Sequence, residues 1–365
     1  MSFARDRPYE RLPLLPPGRN FLERPSVLRS CISAGRVLAE LKGASRLLPD
    51  PSMLINSIPL QEARLSSEIE NIVTTQDELY IAAIDTSEPT DPHTKEVLRY
   101  RSALHLTYER VKERGLALSL LREICSELLG APMGFRQAHE TVRLANPGGG
   151  EVRYTPPSGG PMLLDKLQNL LDFAQGQGEA QHVDPLLRMA IAHYQFEAIH
   201  PFLDGNGRTG RILNLALLVH DGLLDLPLLC LSRFILHNKA QYYQSLQDVS
   251  ERKNWEGWLV YMMRAVEETA RWTMQRIEDV QRLMQQTLER CRQELPKRVY
   301  SKELVELIFR QPYCKIAFVV EADLAKRQTA ATYLQALEQI GVLSGEKHGR
   351  EVIYRHSALI DILSA

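Results

Sequence analysis

One short stretch of the chain brings together several residue types suited to phosphate chemistry. It reads His200-Pro201-Phe202-Leu203-Asp204-Gly205-Asn206-Gly207-Arg208-Thr209-Gly210-Arg211. The run Gly205–Gly207 has little side-chain bulk, so its backbone N–H groups can turn toward one point and form an anion cradle. The apolar run Ile212–Val219 predicts a helix that begins where this stretch ends, and a helix N-terminus attracts phosphate.

The charged residues of the same stretch fit a nucleotide-phosphate site. Arg208 and Arg211 lie three apart, so on a helix they share a face and can fork onto phosphate oxygens. Asp204 is a hard carboxylate beside the cradle, suited to a Mg²⁺ ion already bound to phosphates. His200 can take a proton at neutral pH. Each feature alone has an ordinary explanation, such as a turn or a solvated arginine, but their occurrence together predicts a phosphate site.

The stretch resembles the signature of Fic-domain proteins, His-Pro-Phe-x-(Asp/Glu)-Gly-Asn-Gly-Arg-x-x-Arg, and every specified position matches. The resemblance implies transfer of AMP from ATP to a Ser, Thr or Tyr hydroxyl of a target protein, with His200 as the base and Asp204 as the ligand of Mg²⁺. It also implies that the nucleotide is held by Asp204, Gly205, Asn206, Gly207, Arg208, Thr209, Gly210 and Arg211.

A second motif lies on a helix predicted over about residues 60–74. Ser66 and Glu70 are four apart and share a face, which is also compatible with an ordinary exposed helix face. However, Ser66-x-x-x-Glu70-Asn71-Ile72 resembles the inhibitory motif of Fic proteins, (Ser/Thr)-x-x-x-Glu-(Gly/Asn)-Ile. The resemblance implies that Glu70 reaches the nucleotide site and pairs with Arg211, which would otherwise hold the γ-phosphate. A related alternative is that Glu70 positions a water molecule that removes AMP from targets.

Two further segments enter the predicted site through the same resemblance. Residues 142–144 and 151–155 predict two short strands around a glycine turn at 146–150. Fic proteins carry at this place a flap that docks the target as an added strand, which implies contacts from Val152, Arg153 and Tyr154. Tyr242 and Tyr243, on a helix after the signature, are implied to line the adenosine pocket. A solvated hairpin and core tyrosines are the simpler alternatives.

The elements that must position these residues are mainly helical. We expect a mainly α fold, with a Fic-type helical bundle, a β-hairpin flap and a small C-terminal winged helix-turn-helix domain. The predicted divisions are an arm and helical region at 1–110, a catalytic domain at 111–294 and the small domain at 295–365, with Leu295-Pro296 as the last boundary. In the small domain, the patterns predict helices at 301–310, about 320–326 and 328–341, then a hairpin at 342–354. The proline-rich segment Leu12–Pro17 predicts an extended arm, either packed on the body or free as a recognition peptide.

Composition limits the classes of partner. The 365 residues include 44 Lys+Arg and 45 Asp+Glu, so net charge favours neither nucleic acid nor an anionic membrane. From residue 297 onward there are ten Lys/Arg against eight Asp/Glu, too small a surplus to predict DNA binding. Protein interaction or dimerisation suits that domain equally well.

Cysteine spacing and hydropathy predict a cytoplasmic protein without a membrane segment. The five cysteines are far apart, lack a Cys-x-x-Cys pair and are read as reduced thiols: Cys31, Cys125, Cys230, Cys291 and Cys314. The start of the chain has no apolar signal core. Two other functions stay open. One is a DNA-binding regulator with a nucleotide-sensing core. The other is a transferase of UMP, phosphocholine or phosphate, although the small Gly207 favours the AMP orientation.

Overall fold

The structure is a computed structural model that describes residues 3–46, 52–84, 91–145, 150–348 and 351–364. It is mainly helical with two small sheets, as predicted. Within the described ranges, no helix combines the length and the apolar character needed to cross a membrane.

Among the described residues, seven helices precede the flap. They are α1 Arg19–Leu22, α2 Pro25–Arg46, α3 Ser52–Ile55, α4 Ile58–Ile69, α5 Gln76–Ile84, α6 Pro92–Arg114 and α7 Leu118–Leu129. The Asp91 side chain caps α6 by accepting a hydrogen bond from Thr94 N, and Pro92 at the first helical position suits the fixed φ of proline. Helix α5 was not predicted, because its apolar residues form an unbroken run without a helical stripe.

The central region contains the flap hairpin and the helices that carry the signature. Its elements are β1 Leu144–Ala145, β2 Val152–Tyr154, α8 Pro161–Ala174, α9 Pro185–Ile199, α10 Asn206–His220, α11 Leu231–His237, α12 Lys239–Arg252 and α13 Trp255–Glu294. The helix predicted to carry Tyr242 and Tyr243 is α12, and the short helix α11 precedes it. Asn238 lies between them, and its side chain donates to Phe234 O at 2.9 Å, a local bond that competes with helix continuation.

The last region forms a small unit around a three-stranded antiparallel sheet of order β3–β5–β4. Its elements are α14 Lys302–Phe309, β3 Tyr313–Lys315, α15 Ile316–Glu321, α16 Arg327–Gln339, β4 Ser344–His348, β5 Glu351–Arg355 and α17 Ser357–Ser364. This order agrees with the predicted winged helix-turn-helix. The prediction for α15 at about 320–326 was wrong, because Asp323 has a positive φ of 55° that does not continue a helix. Strand β3 and helix α17 were not predicted.

Buried apolar side chains form two clusters, and α13 contributes to both. The first contains most of the core of α2 to α12. The second includes Val280, Met284 and Cys291 of α13 together with the C-terminal elements. The predicted boundary at Leu295-Pro296 coincides with the end of α13, but the core of the last unit already begins on that helix. All five cysteines are buried and free.

The proline-rich segment is packed on α8. Leu12 and Leu15 are buried. Lys166 Nζ donates to Leu12 O at 2.7 Å. Leu15 N donates to Asn169 Oδ1 at 2.7 Å, and Asn169 Nδ2 donates to Leu15 O at 3.1 Å. Of the two alternatives for this segment, the structure therefore has the packed arm.

Candidate active site

Helix α9 delivers His200 to the centre of the site. The helix is capped at its start by Asp184, whose side chain accepts from Leu186 N. His200 follows Ile199 as the C-cap residue with φ 50°, a left-handed conformation that is uncommon for histidine and turns the chain out of the helix. Burial, followed by the nearby Arg136 charge, lowers the pKa of His200 from 6.5 to about 4. The imidazole is therefore neutral at pH 7 and able to accept a proton.

The loop after His200 is braced by the side chain of Asn206. Asn206 Oδ1 accepts from Phe202 N and its Nδ2 donates to Phe202 O, both at 2.9 Å. Phe202 is fully buried and packs on Phe135, with ring centroids 5.2 Å apart. The amide of Asn206 thus acts within the loop. Only the backbone N–H of Asn206 is left to contribute to the cradle.

Arg136 holds the same loop from the opposite side, a role that no sequence pattern signalled. Its side chain is almost completely buried. It donates to four carbonyl oxygens, those of His200 at 2.7 Å, Ile199 at 3.0 Å, Pro157 at 2.9 Å and Glu140 at 3.1 Å. One guanidinium therefore connects the end of α9 to the segment that follows the flap.

A glycine turn at the start of α10 lies where the cradle was predicted, and a carboxylate lies directly on it. Gly205 has φ 79° as the N-cap of α10, and the first N–H groups of a helix have no carbonyl partner in the helix. A Cβ atom built on Gly207 would lie only 2.5 Å from Glu70 Oε1 and 3.1 Å from Arg211 Nη1. The Glu70 carboxylate therefore fills the space above Gly207.

Arg211 holds this carboxylate through the predicted contact. Arg211 Nη2 donates to Glu70 Oε1 at 2.9 Å and to Ser66 O at 3.0 Å, and Arg211 Nε donates to Ser66 Oγ at 2.7 Å. The Arg211 side chain is 1% exposed and that of Glu70 is 36% exposed. Burial opposes ionisation of Glu70, but the guanidinium outweighs it and holds the pKa of that carboxyl below its usual value.

The helix that carries Glu70 ends earlier than predicted. Helix α4 stops at Ile69, and Glu70 is its C-cap. The next residue, Asn71, has φ 64°, the left-handed conformation that ends many helices. A carboxylate at this end meets the negative pole of the helix, and Lys239 offsets this by donating from Nζ to Ile69 O at 2.6 Å. Lys239 was not predicted, since an isolated lysine carries no pattern.

The carboxylate of Asp204 lies in the open at the edge of the cradle. Its side chain is 73% exposed beside the cradle, and Oδ1 accepts from Gly205 N at 2.6 Å. Among the described residues, no group of three or more His, Cys, Asp or Glu side chains is arranged to hold a metal. A single exposed carboxylate beside a helix N-terminus has the chemistry to hold a Mg²⁺ ion whose other oxygens come from phosphate and water.

The remaining signature residues are used in packing. Arg208 is buried and forms an ion pair with Glu96 of α6, a contact not predicted. Thr209 is fully buried. A Cβ atom built on Gly210 would lie 2.5 Å from Glu197 Oε1, so glycine permits the close approach of α9 and α10. Burial raises the pKa of Glu197 to about 7.

The two tyrosines of α12 differ in environment. Tyr242 is buried, and its hydroxyl lies 2.8 Å from His193 Nε2, so it belongs to the core. Tyr243 is half-buried. Burial, followed by the charge of Glu70, raises its pKa to about 12, which agrees with a position near the cradle. Of the pair, Tyr243 has the exposure that a nucleotide contact needs.

The flap hairpin is tied to the end of α9. Strands β1 and β2 pair antiparallel, with Leu144 opposite Tyr154. The Tyr154 hydroxyl donates to Ala198 O at 2.9 Å, two residues before His200, whereas Arg153 is exposed. Residues 146–149 of the predicted glycine turn lie outside the described residues.

Comparison with known families agrees with this geometry. Residues 28–109 match the Fic/DOC family N-terminal region, and residues 115–218, which include the whole signature, match the Fic/DOC family domain. The chain belongs to the Fic/DOC family. Residues 283–359 match the C-terminal domain described as protein adenylyltransferase SoFic-like, so this Fic chain also has the family's small terminal unit. That match begins within α13, where the second apolar cluster begins.

Named relatives of this Fic chain cover only parts of it. A probable protein adenylyltransferase from Aquifex aeolicus is 29% identical over 198 residues, which are 52% of this chain and 55% of that protein. The protein adenylyltransferase fic-1 from Caenorhabditis elegans is 35% identical over 96 residues, 26% of this chain and 17% of that protein. The chain thus spans about half or less of the length of these relatives.

Solved structures share the fold. A Fic family protein from Desulfovibrio desulfuricans G20 superposes with a TM-score of 0.56 at 19% identity, covering 91% of this chain and 96% of that one. A Fic domain containing signaling protein from Bacteroides thetaiotaomicron gives a TM-score of 0.55 at 17% identity, covering 67% and 97%. At these identities the similarity establishes the fold alone.

We predict that Arg136→Met strongly destabilises the protein. The change leaves buried carbonyl oxygens without donors, each at a cost of about 1–3 kcal/mol, so the free energy of unfolding should fall by at least about 3 kcal/mol in urea denaturation. Arg143→Met removes an exposed arginine from the same segment and serves as the control, with an expected change within about 0.5 kcal/mol. Equal stability of the two variants would contradict the role of Arg136.

We also predict that His200 stays neutral from pH 5.5 to 8. Because its folded pKa of about 4 is below the unfolded value of about 6.5, the unfolded chain binds a proton that the folded chain does not. Stability contributed by His200 is therefore complete above pH 6.5 and lost as pH falls toward 4. Imidazole NMR signals, assigned by comparison with His200→Gln, measure this pKa. A midpoint near 6.5 would refute the prediction.

Proposed function

We propose that this Fic chain is a protein adenylyltransferase that transfers AMP from ATP to Ser, Thr or Tyr hydroxyls of target proteins, including its own, and that Glu70 holds it inactive. The proposal rests on one observation: the Glu70 carboxylate lies on the Gly207 cradle and accepts a hydrogen bond from Arg211. A site that binds the Glu70 carboxylate so closely also suits a nucleotide phosphate, and the nearby neutral His200 supplies a base.

The transfer step uses the residues of the site as follows. The acceptor hydroxyl oxygen forms a bond to the α-phosphorus while the bond from that phosphorus to the bridging oxygen of the β-phosphate breaks. His200 takes the hydroxyl proton, and pyrophosphate leaves with the electron pair. Arg211 and the N–H groups at the start of α10 stabilise the charge on the phosphates.

Asp204 would hold the metal that accompanies ATP. Its exposed carboxylate lies at the edge of the cradle. Mg²⁺ supplies neutralisation of phosphate charge when bound. The flap strand Val152–Tyr154 would present the target segment by added-strand pairing, with Tyr154 fixing its distance from His200 through Ala198 O.

Inhibition follows from competition between two anions for one cation. Arg211 is buried and already bonded to Glu70 and Ser66, so a γ-phosphate can reach it only after the carboxylate moves. A hydrogen bond between charged groups contributes about 1.5–3 kcal/mol. ATP must break this hydrogen bond before it can bind productively, so the bond weakens productive ATP binding by roughly ten- to a hundredfold.

Removal of AMP is a second candidate activity, supported by the ionised state of Glu70. Because Arg211 holds the pKa of this carboxyl low, the carboxylate can accept a proton from a water molecule whose oxygen forms a bond to the phosphorus of a modified target. The bond from that phosphorus to the target's hydroxyl oxygen breaks, the oxygen takes a proton from solvent, and AMP leaves. Incubation of the AMP-modified chain without ATP tests this, since Glu70→Gln should stop any release of AMP.

We predict that Glu70→Gly raises ATP affinity by about ten- to a hundredfold, because Arg211 then becomes available to phosphate, and that it raises self-modification. Titration calorimetry with ATP and Mg²⁺ measures the first effect, and a mass increase equal to one AMP measures the second. Glu68→Gln is the control, since Glu68 pairs with Arg64 on the same helix. If both variants behave like the unchanged protein, Glu70 is not inhibitory.

We predict that His200→Ala, made in the Glu70→Gly chain, abolishes transfer while ATP affinity stays within about threefold, as expected for the loss of a group that acts on the acceptor proton. Mass spectrometry after incubation with each NTP measures transfer, and the mass added to the Glu70→Gly chain identifies the donor. Normal modification of the double variant would exclude the base role. Addition of UMP instead of AMP would replace the ATP assignment.

A further inference from the structure

The segment at residues 3–15, here called the N-terminal arm, contacts the base of the flap. Tyr9 N donates to Thr155 O at 3.0 Å, and Thr155 Oγ1 donates to Arg5 O at 2.7 Å. Thr155 follows directly after strand β2 and is fully buried. Hydrogen bonds in both directions thus connect the arm to the residue that ends the flap strand.

The arm also covers the tyrosine that ties the flap to α9. The Phe3 ring stacks on Tyr154, with centroids 6.0 Å apart and planes at 17°. The Tyr9 ring meets Tyr154 edge to face at 6.3 Å and Phe3 at 5.1 Å. The hydroxyl of Tyr154 is the one that donates to Ala198 O. Three rings therefore pack around the contact that sets the distance between flap and His200.

Arg5 links the flap to a second helix. Arg5 Nε lies 2.6 Å from Glu251 Oε1 of α12, and Arg5 Nη1 lies 3.3 Å from Glu151 Oε1, the residue before β2. Glu251 is 19% exposed, whereas Glu151 is 74% exposed. The arginine thus bridges a largely buried carboxylate on α12 and an exposed carboxylate at the start of the flap strand.

The arm is held along its length by contacts with the body of the protein, so it can fix the position of the flap. Its Leu12 and Leu15 are bonded to α8, and Gln195 Nε2 of α9 donates to Pro13 O at 2.9 Å. Ser158, beyond the flap, is hydrogen-bonded to Glu10 through both its N–H and its hydroxyl. These anchors join the arm to the helix that carries His200.

We propose that the N-terminal arm is a positioning element for the protein substrate, which holds strand Val152–Tyr154 at a fixed distance and angle from His200. The inference rests on the proposed function and concerns its acceptor side. A loosely held strand would have to be ordered each time a target segment pairs with it, and this ordering cost weakens acceptor binding. Because the arm contacts the flap and not Arg211 or the cradle, its loss should weaken acceptor binding and leave ATP binding unchanged.

The kinetic test uses a Glu70→Gly chain as the enzyme and a His200→Ala copy of the same chain as the acceptor. Arg5→Met and the double variant Phe3→Ala with Tyr9→Ala, made in the enzyme, should raise KM for the acceptor about tenfold, equivalent to about 1.4 kcal/mol, with kcat and ATP affinity unchanged. Arg5→Lys should recover most of the loss. Arg7→Met removes an exposed arginine of the same arm and should have no effect.

A second measurement reports on the flap without any acceptor. Amide hydrogen exchange of residues 151–155 should be about tenfold faster in Arg5→Met and in the double variant than in Arg7→Met. The flap of the first two variants opens without having to break the Arg5 bridge or the ring contacts, so opening costs less free energy. Unchanged exchange, or unchanged KM with active enzyme, overturns the proposal. If the Glu70→Gly chain transfers no AMP at all, the proposed function fails, and exchange alone still decides whether the arm holds the flap.

Discussion

A buried guanidinium governs the arrangement of the whole site. Arg211 is 1% exposed, and a charge in such surroundings is tolerated only with a partner of opposite sign. Ser66 supplies neutral acceptors, so Glu70 is the carboxylate that neutralises it in this structure. Any ligand that replaces Glu70 must bring its own negative charge to the same place. Under the proposed function, the Glu70 carboxylate and a bound phosphate therefore exclude each other at Arg211.

The carboxylate can leave without the helix that carries it. Helix α4 buries Ile58, Leu60, Leu65 and Ile69, and each such side chain contributes about 1.5–3 kcal/mol when fully buried. Extraction of the helix would therefore cost more than the roughly 1.5–3 kcal/mol of the charged hydrogen bond. Glu70 lies past the last helical turn, so rotation of its side chain breaks that bond and leaves the apolar contacts intact. Because α4 ends before Glu70, this side chain can rotate at a low cost in free energy.

The signature could be predicted from sequence because its geometry is local. A glycine-rich bend followed by an apolar helical run predicts a cradle at a helix N-terminus. Asn206 lies in that bend, and its side-chain amide is hydrogen-bonded to Phe202 inside the loop. The contacts that hold the loop are not local: Arg136 and His200 are 64 residues apart, and Lys239 and Ile69 are 170 apart. A single arginine or lysine has no periodicity, so such partners appear only after folding. The same holds for α15, whose boundary depended on the backbone conformation of Asp323.

The C-terminal unit bears on the same region because it packs on the helix that follows Glu70. Tyr313 donates to Asp77 Oδ1 of α5 at 2.6 Å, and Arg355 Nη1 lies 3.2 Å from Asp77 Oδ2. On the same face of α5, the Tyr80 ring stacks on Tyr313 with centroids 5.8 Å apart, and the Tyr80 hydroxyl accepts from Gln61 Nε2 of α4 at 3.2 Å. Helix α5 is thus held between the terminal unit and the helix that ends at the cradle. Since only five residues separate Glu70 from the start of α5, the backbone has little slack there, which favours movement of the carboxylate through its own side chain and the turn at Asn71.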